Sequence, residues 1–134
     1  LLFRVATRMT EAGIGYGTKK VDFLLIIEEP EQNLHPMLQS KLADLFYELN
    51  NEYGIRFIIE THSEYLIRKS QVIVANRHFA SEDELQKNSP FRVVYFPGDG
   101  QLPYDMHYRV DGKFSNEFGT GFFDEASNLI FDIL

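Results

Sequence analysis

The stretch FLLIIEEPEQNLHP, from Phe23 to Pro36, drives four apolar residues, Leu24 to Ile27, straight into two adjacent carboxylates, Glu28 and Glu29. Pro30, a third carboxylate at Glu31 and then Asn33-Leu34-His35-Pro36 follow. A continuous apolar run closed by charge predicts a strand over residues 22–28, buried on both faces. Pro30 has no amide hydrogen, so it ends the ladder.

Downstream, Pro36 to Tyr53 reads as a helix. Leu38, Leu42, Leu45, Phe46, Leu49 and Tyr53 recur at helical spacing and form one apolar face. Lys41, Asp44, Glu48 and Glu52 take the opposite, solvated face. Pro36 suits the first turn and Gly54 the C-terminal cap. IRFIIE, residues 55–60, is a second buried strand. THSE, residues 61–64, matches a capping box with Thr61 as N-cap and Glu64 three residues on. It opens a helix running to about Asn76. Residues 22–76 therefore spell strand, helix, strand, helix, a parallel βα unit.

That order gathers chemistry at one edge. Ligands of parallel α/β sheets bind outside the carboxyl ends of the strands. Glu28 and Glu29 end the first strand, and Glu60 and His62 end the second. Neighbouring strands would bring these ends within about 5 Å. Adjacent carboxylates repel, and burial sharpens the repulsion. Successive strand residues point to opposite faces, so the two acids suit different tasks. One can hold a hydrated Mg²⁺ while the other faces a water molecule as base. A Glu-Glu pair by itself reads as two solvated charges. The apolar run before it, the proline after it and Thr61-His62-Ser63 beyond the next strand favour function.

The remainder is less dense in signals. Residues 1–12 suit a strand or a short helix, and AGIGYGTKK, residues 12–20, is a glycine-rich loop. ASEDELQKNSP, residues 80–90, is a polar connection with room for one helical turn. FRVVYF (91–96) and YDMHYRV (104–110) flank PGDGQLP as a hairpin with a wide loop. A last amphipathic helix covers 122–134 with Phe123, Leu129, Ile130, Ile133 and Leu134 apolar. Asp124 and Glu125 suit the dipole at its start. Phe118, Phe122 and Phe123 read as core or a docking patch, and His35 as a source of local hydrogen bonds.

The 134 residues, 44% hydrophobic, suit one folding unit. Cysteine is absent, which rules out disulfides and thiolate metal sites and fits a reducing, cytoplasmic compartment. A net charge of −7 makes this chain alone a poor partner for a phosphate backbone. No run of apolar residues is long enough for a membrane span. The opening LLFRVATRMTEAG lacks an initiator Met and any signal-peptide pattern, and reads as cut from something longer.

LLIIEEPE resembles the Walker B strand of ABC-type ATPases, NLHP their D-loop and IIETHSEYL their switch-histidine strand. Together these resemble a narrower prokaryotic set of predicted ATPases related to the OLD nucleases and SMC/Rad50-like proteins. GFFDEA, residues 121–126, is similar to a short C-terminal domain of unknown function appended to such ATPases. Where related sequences carry Trp-Pro, however, this chain has Phe118-Gly119. The resemblance implies an α/β fold: residues 1–90 as the C-terminal part of an ABC-type P-loop lobe, and 91–134 as a hairpin-plus-helix extension.

Residue by residue, the resemblance implies that Glu28 holds Mg²⁺ through water, that Glu29 polarises the attacking water and that His62 reaches the γ-phosphate. Leu34, His35 and Pro36 would form the D-loop that crosses to a partner subunit. GIGYGTKK, residues 13–20, resembles the signature loop that caps the γ-phosphate, with Gly17 and Thr18 as contacts. Lys19 replaces the expected Gln, and only Lys20, Val21 and Asp22 separate this loop from the strand where a long helix is expected. An ordinary flexible turn explains Gly13, Gly15 and Gly17 equally well. The implied cofactors are ATP and Mg²⁺. The implied assembly is a homodimer with nucleotide sandwiched between subunits, with DNA or a nuclease as further partners.

No G-x-x-x-x-G-K-[ST] occurs in the chain, so the cradle for the α- and β-phosphates must come from elsewhere. Alone, the chain should bind ATP weakly or not at all. Two other functions fit the residues. One is a divalent-metal hydrolase with Glu28, Glu60 and His62 as ligands to Mn²⁺ or Zn²⁺. The other is a non-catalytic module that docks a partner through the hairpin and last helix.

Overall fold

A computed structural model describes residues 2–5, 22–98 and 100–133. Its elements are β1 (Leu2–Val5), β2 (Leu24–Glu28), α1 (Pro36–Tyr53), β3 (Arg56–Glu60), α2 (Glu64–Asn76), α3 (Glu82–Asn88), β4 (Phe91–Tyr95), β5 (Tyr104–Met106) and α4 (Glu125–Ile133). The loop expected at residues 13–20, with Gly17 and Thr18, lies outside the described residues.

The five strands form one mixed sheet in the order β2-β3-β1-β4-β5. β2 and β3 run parallel and in register, Leu24 opposite Arg56 through Glu28 opposite Glu60. This is the expected βα unit with α1 as its connection. The rest of the sheet is antiparallel: β1 pairs with both β3 and β4, and β4 with β5. The parallel βα pattern thus covers only one edge of the sheet.

One face carries the core. Phe57, Ile59, Phe91, Val93 and Met106 point there, against Ala43 and Phe46 of α1, Leu66, Ile67 and Val74 of α2, and Leu85. Phe46 and Phe57 meet with ring centroids 5.0 Å apart. The other face presents Leu24 and Ile26 beside Arg56, with Arg92 clamped to Asp105 at 2.8 and 3.0 Å. Here the expectation for β2 fails. It is an edge strand, exposed along most of its length, and Ile26 is 71% accessible. An apolar run reports what a strand could bury, whereas coverage depends on layers, and among the described residues the helices pack on one face of this sheet.

α1 has the expected limits. Pro36 occupies its first turn, and Gly54 at φ 74° takes the left-handed C-cap conformation that glycine adopts without Cβ strain. Its buried stripe is Ala43, Phe46 and Asn50, while Leu38, Leu45 and Tyr53 of the expected face are exposed. Asn50 is buried because its amide donates to the Ile55 carbonyl at 2.7 Å. Asp44 meets Lys69 of α2 at 3.4 Å. α2 begins two residues later than a Thr61 cap requires. Ser63 is the N-cap and accepts the Leu66 amide at 3.2 Å. Thr61, fully buried, accepts the Ser63 amide instead.

The polar connection is a seven-residue helix, α3, capped by Ser81. The hairpin is β4–β5; beyond Met106 the chain makes the turn Arg109–Gly112, flanked by a bridge between Tyr108 and Phe114. α4 starts at Glu125 rather than 122, since Asp124 turns back to accept the Gly121 amide at 2.6 Å. Phe118, Phe122 and Phe123 pack as a ring cluster against Tyr95, and the Arg68 guanidinium lies 3.9 Å over the Phe123 ring. Among the described residues no helix is long and apolar enough to cross a membrane.

Candidate functional site

The carboxyl edge of the parallel pair carries the candidate chemistry. Glu28 ends β2 opposite Glu60, and both are exposed. The Glu29 amide still donates to the Glu60 carbonyl at 2.8 Å, which extends the parallel ladder by one bond. Its own backbone then leaves the strand at φ 45°, a region in which a residue bearing a Cβ is strained by about 1–2 kcal/mol. Pro30 follows, and the Gln32 amide closes a turn on the Glu29 carbonyl at 3.0 Å. Pro30 therefore occupies the turn position for which its fixed φ is pre-set. A second turn closes from the Leu34 amide to the Glu31 carbonyl, with Asn33 at φ 63°. Asn tolerates that conformation. His35 then caps α1, its Nδ1 accepting the Met37 amide at 3.3 Å.

On the facing loop, His62 is exposed and Nε2 lies 3.8 Å from Glu29 Oε1. Gln32 Nε2 donates to the other Glu29 oxygen at 3.4 Å. Glu29 is thus held from one side and open on the other, with 47% of its side chain accessible. Glu28, Glu29, Glu60 and His62 share this edge as the strand order required. Leu34 and His35 lie on the adjoining loop.

Among the described residues, no group of three or more His, Cys, Asp or Glu is arranged to hold a metal ion. The trio Glu28, Glu60 and His62 is therefore not preassembled as a ligand set. A cavity of about 690 Å³ lies away from this edge, between α3 and the β4–β5 hairpin, where Asp83, Lys87, Arg92 and His107 line it.

Sequence reasoning passed over three polar residues that build the edge. Glu31 reaches across so that its Oε1 accepts the His62 amide at 2.7 Å. The Ser63 hydroxyl donates to Gln39 Oε1 at 2.6 Å, and Gln39 Nε2 donates to the Leu34 carbonyl at 2.9 Å. Glu31 stood in the quoted stretch as a third carboxylate. Gln39 and Ser63 carried only the weak signal of polar residues in the first turns of two helices.

Residues 8–67 match the family model of an AAA ATPase domain. The matched span contains β2, α1, β3, the Glu29–His62 edge and the start of α2. The match supports an ATPase-related function and nucleotide binding at the level of that domain family. No curated protein and no solved structure gives a match.

Proposed function

We propose that this chain supplies the hydrolytic edge of an ATP-hydrolysing site of the ABC class, related to the OLD and SMC/Rad50-like ATPases. The phosphate-holding loop comes from another segment. One observation carries the proposal: Glu29 Oε1 and His62 Nε2 stand 3.8 Å apart, both exposed, at the carboxyl edge of a parallel strand pair. The AAA ATPase domain match over the same residues supports it.

In this reading Glu29 orients and polarises the attacking water. His62 donates a hydrogen bond to a phosphoryl oxygen as negative charge redistributes during transfer. Glu28, exposed at the strand end and outside any three-ligand cluster among the described residues, fits a hydrated Mg²⁺ whose remaining ligands are waters and phosphate oxygens. Bound there, the ion would offset phosphate charge. Leu34, His35 and Pro36 face a second copy of the chain, with ATP between the two, and residues 91–134 form an extension beyond the ATPase portion. The exposed apolar face of β2 agrees with an edge that further structure covers.

The test is kinetic. In a protein that joins this chain to its phosphate-binding loop, Glu29→Gln keeps shape but loses basicity. Turnover should fall by about 10²–10⁴-fold, with ATP binding retained. A Gln variant that hydrolyses ATP at the normal rate would remove Glu29 from the mechanism.

A further inference from the structure

We infer that Glu31 is a positioning residue for His62, and that it sets the Glu29–His62 separation on which the proposed hydrolysis rests. Glu29 and Glu31 belong to one tight turn, closed by the Gln32 amide on the Glu29 carbonyl and stiffened by Pro30. The Glu29 carboxylate and the acceptor that grips the His62 main chain are therefore referenced to the same few atoms. That grip is a charge-assisted bond of 2.7 Å across 31 residues of sequence.

The burial of Glu31 is informative. Glu31 Oε2 is out of solvent and meets no hydrogen-bond donor among the described residues. Desolvating a charged oxygen without a partner is unfavourable. Glu31 therefore carries a desolvation cost alongside the one bond it makes, so stability alone does not account for its placement.

A second strut runs parallel to the first. Ser63, next to His62, donates to Gln39, and Gln39 donates to the Leu34 carbonyl. Residues 62 and 63 are thus tied at two points to the segment between Glu31 and α1. Ser63 also caps α2 through the Leu66 amide, which anchors the loop from below.

The experiment uses the same protein as the Glu29→Gln test. Glu31→Met is close in size, removes the acceptor and brings no charge into the site. It should speed hydrogen exchange of the His62 amide by about tenfold or more, while the amides of Phe57 and Ile59 in β3 keep their protection. kcat should fall by about tenfold or more, because small misplacements of a catalytic group are costly, with KM for ATP within about twofold. Glu31→Gln, which retains an acceptor oxygen, should return both readings to within about threefold of wild type.

His62 amide exchange unchanged in Glu31→Met would overturn the inference, as would a freed amide with normal kcat. A general loss of protection across β3 and α2 would also overturn it, since Glu31 would then be holding the fold rather than the loop. The two readings fail separately: normal turnover in Glu29→Gln removes the hydrolytic role, whereas the amide measurement still reports whether Glu31 holds His62.

Discussion

The hydroxyl pair Ser70–Tyr108 is a sharp test of how the C-terminal third is joined to α2. Ser70 Oγ and Tyr108 Oη lie 2.6 Å apart in the core, where Ser70 is fully buried and Tyr108 is 8% accessible. Ser70 also donates to the Ile67 carbonyl at 2.6 Å. A serine has one hydroxyl hydrogen, so Tyr108 must be the donor in the shared bond. The two deletions therefore differ. Ser70→Ala strands a buried phenol donor, at a cost of roughly 1–3 kcal/mol, offset by a few tenths from the better helix former. Tyr108→Phe leaves Ser70 its Ile67 bond and should cost only about 0.5–1 kcal/mol. The double variant has no stranded group and should be more stable than Ser70→Ala alone. That gives a coupling energy of about 1 kcal/mol or more.

Thermal melts followed by circular dichroism would show this as a drop of several degrees for Ser70→Ala and partial recovery in the double variant. Simple additivity would refute the donor assignment. The same burial holds the Tyr108 hydroxyl well above its ordinary range. Above about pH 10 the unfolded chain gives up this proton and the folded one keeps it. Stability should then decline with rising pH by up to about 1.4 kcal/mol per unit, and Tyr108→Phe should remove that contribution.

Two further outcomes follow from local geometry. Gly112 sits at φ 79°, where a Cβ would come 2.2 Å from the Gln71 carbonyl oxygen and 2.9 Å from the Ala75 Cβ. Gly112→Ala should cost about 3 kcal/mol, strain plus overpacking, read as a lowered urea midpoint; a loss under about 1 kcal/mol would mean that α2 and this turn separate easily. The hydrogen bond from Arg92 holds the Asp105 carboxyl below the usual range, with burial opposing it. A lowered folded value stabilises above the unfolded pKa and is lost as pH falls through the folded one, so the deficit of Asp105→Asn at pH 7 should shrink at pH 3, and an equal deficit at both would contradict this.

How much of this was legible in the sequence depended on range. α1 could be read end to end because its signals are local: Pro36 at the start, Gly54 at the end and helical spacing between them. The Glu28–Glu60 alignment followed from a strand-helix-strand order that favours parallel neighbours. The cap of α2 was misplaced because Thr61 and Ser63 both offer a hydroxyl, and only the buried surroundings of Thr61 decide between them.

The sequence by itself determined that two acids and a histidine end adjacent strands, since period and connection length dictate that edge. Only the tertiary structure decided that β2 lies exposed at the sheet margin, that β1 joins the parallel pair to the hairpin, and that Glu31 grips the His62 amide. Those outcomes depend on which elements share a layer and on one side chain spanning 31 residues, and neither is written in any local pattern.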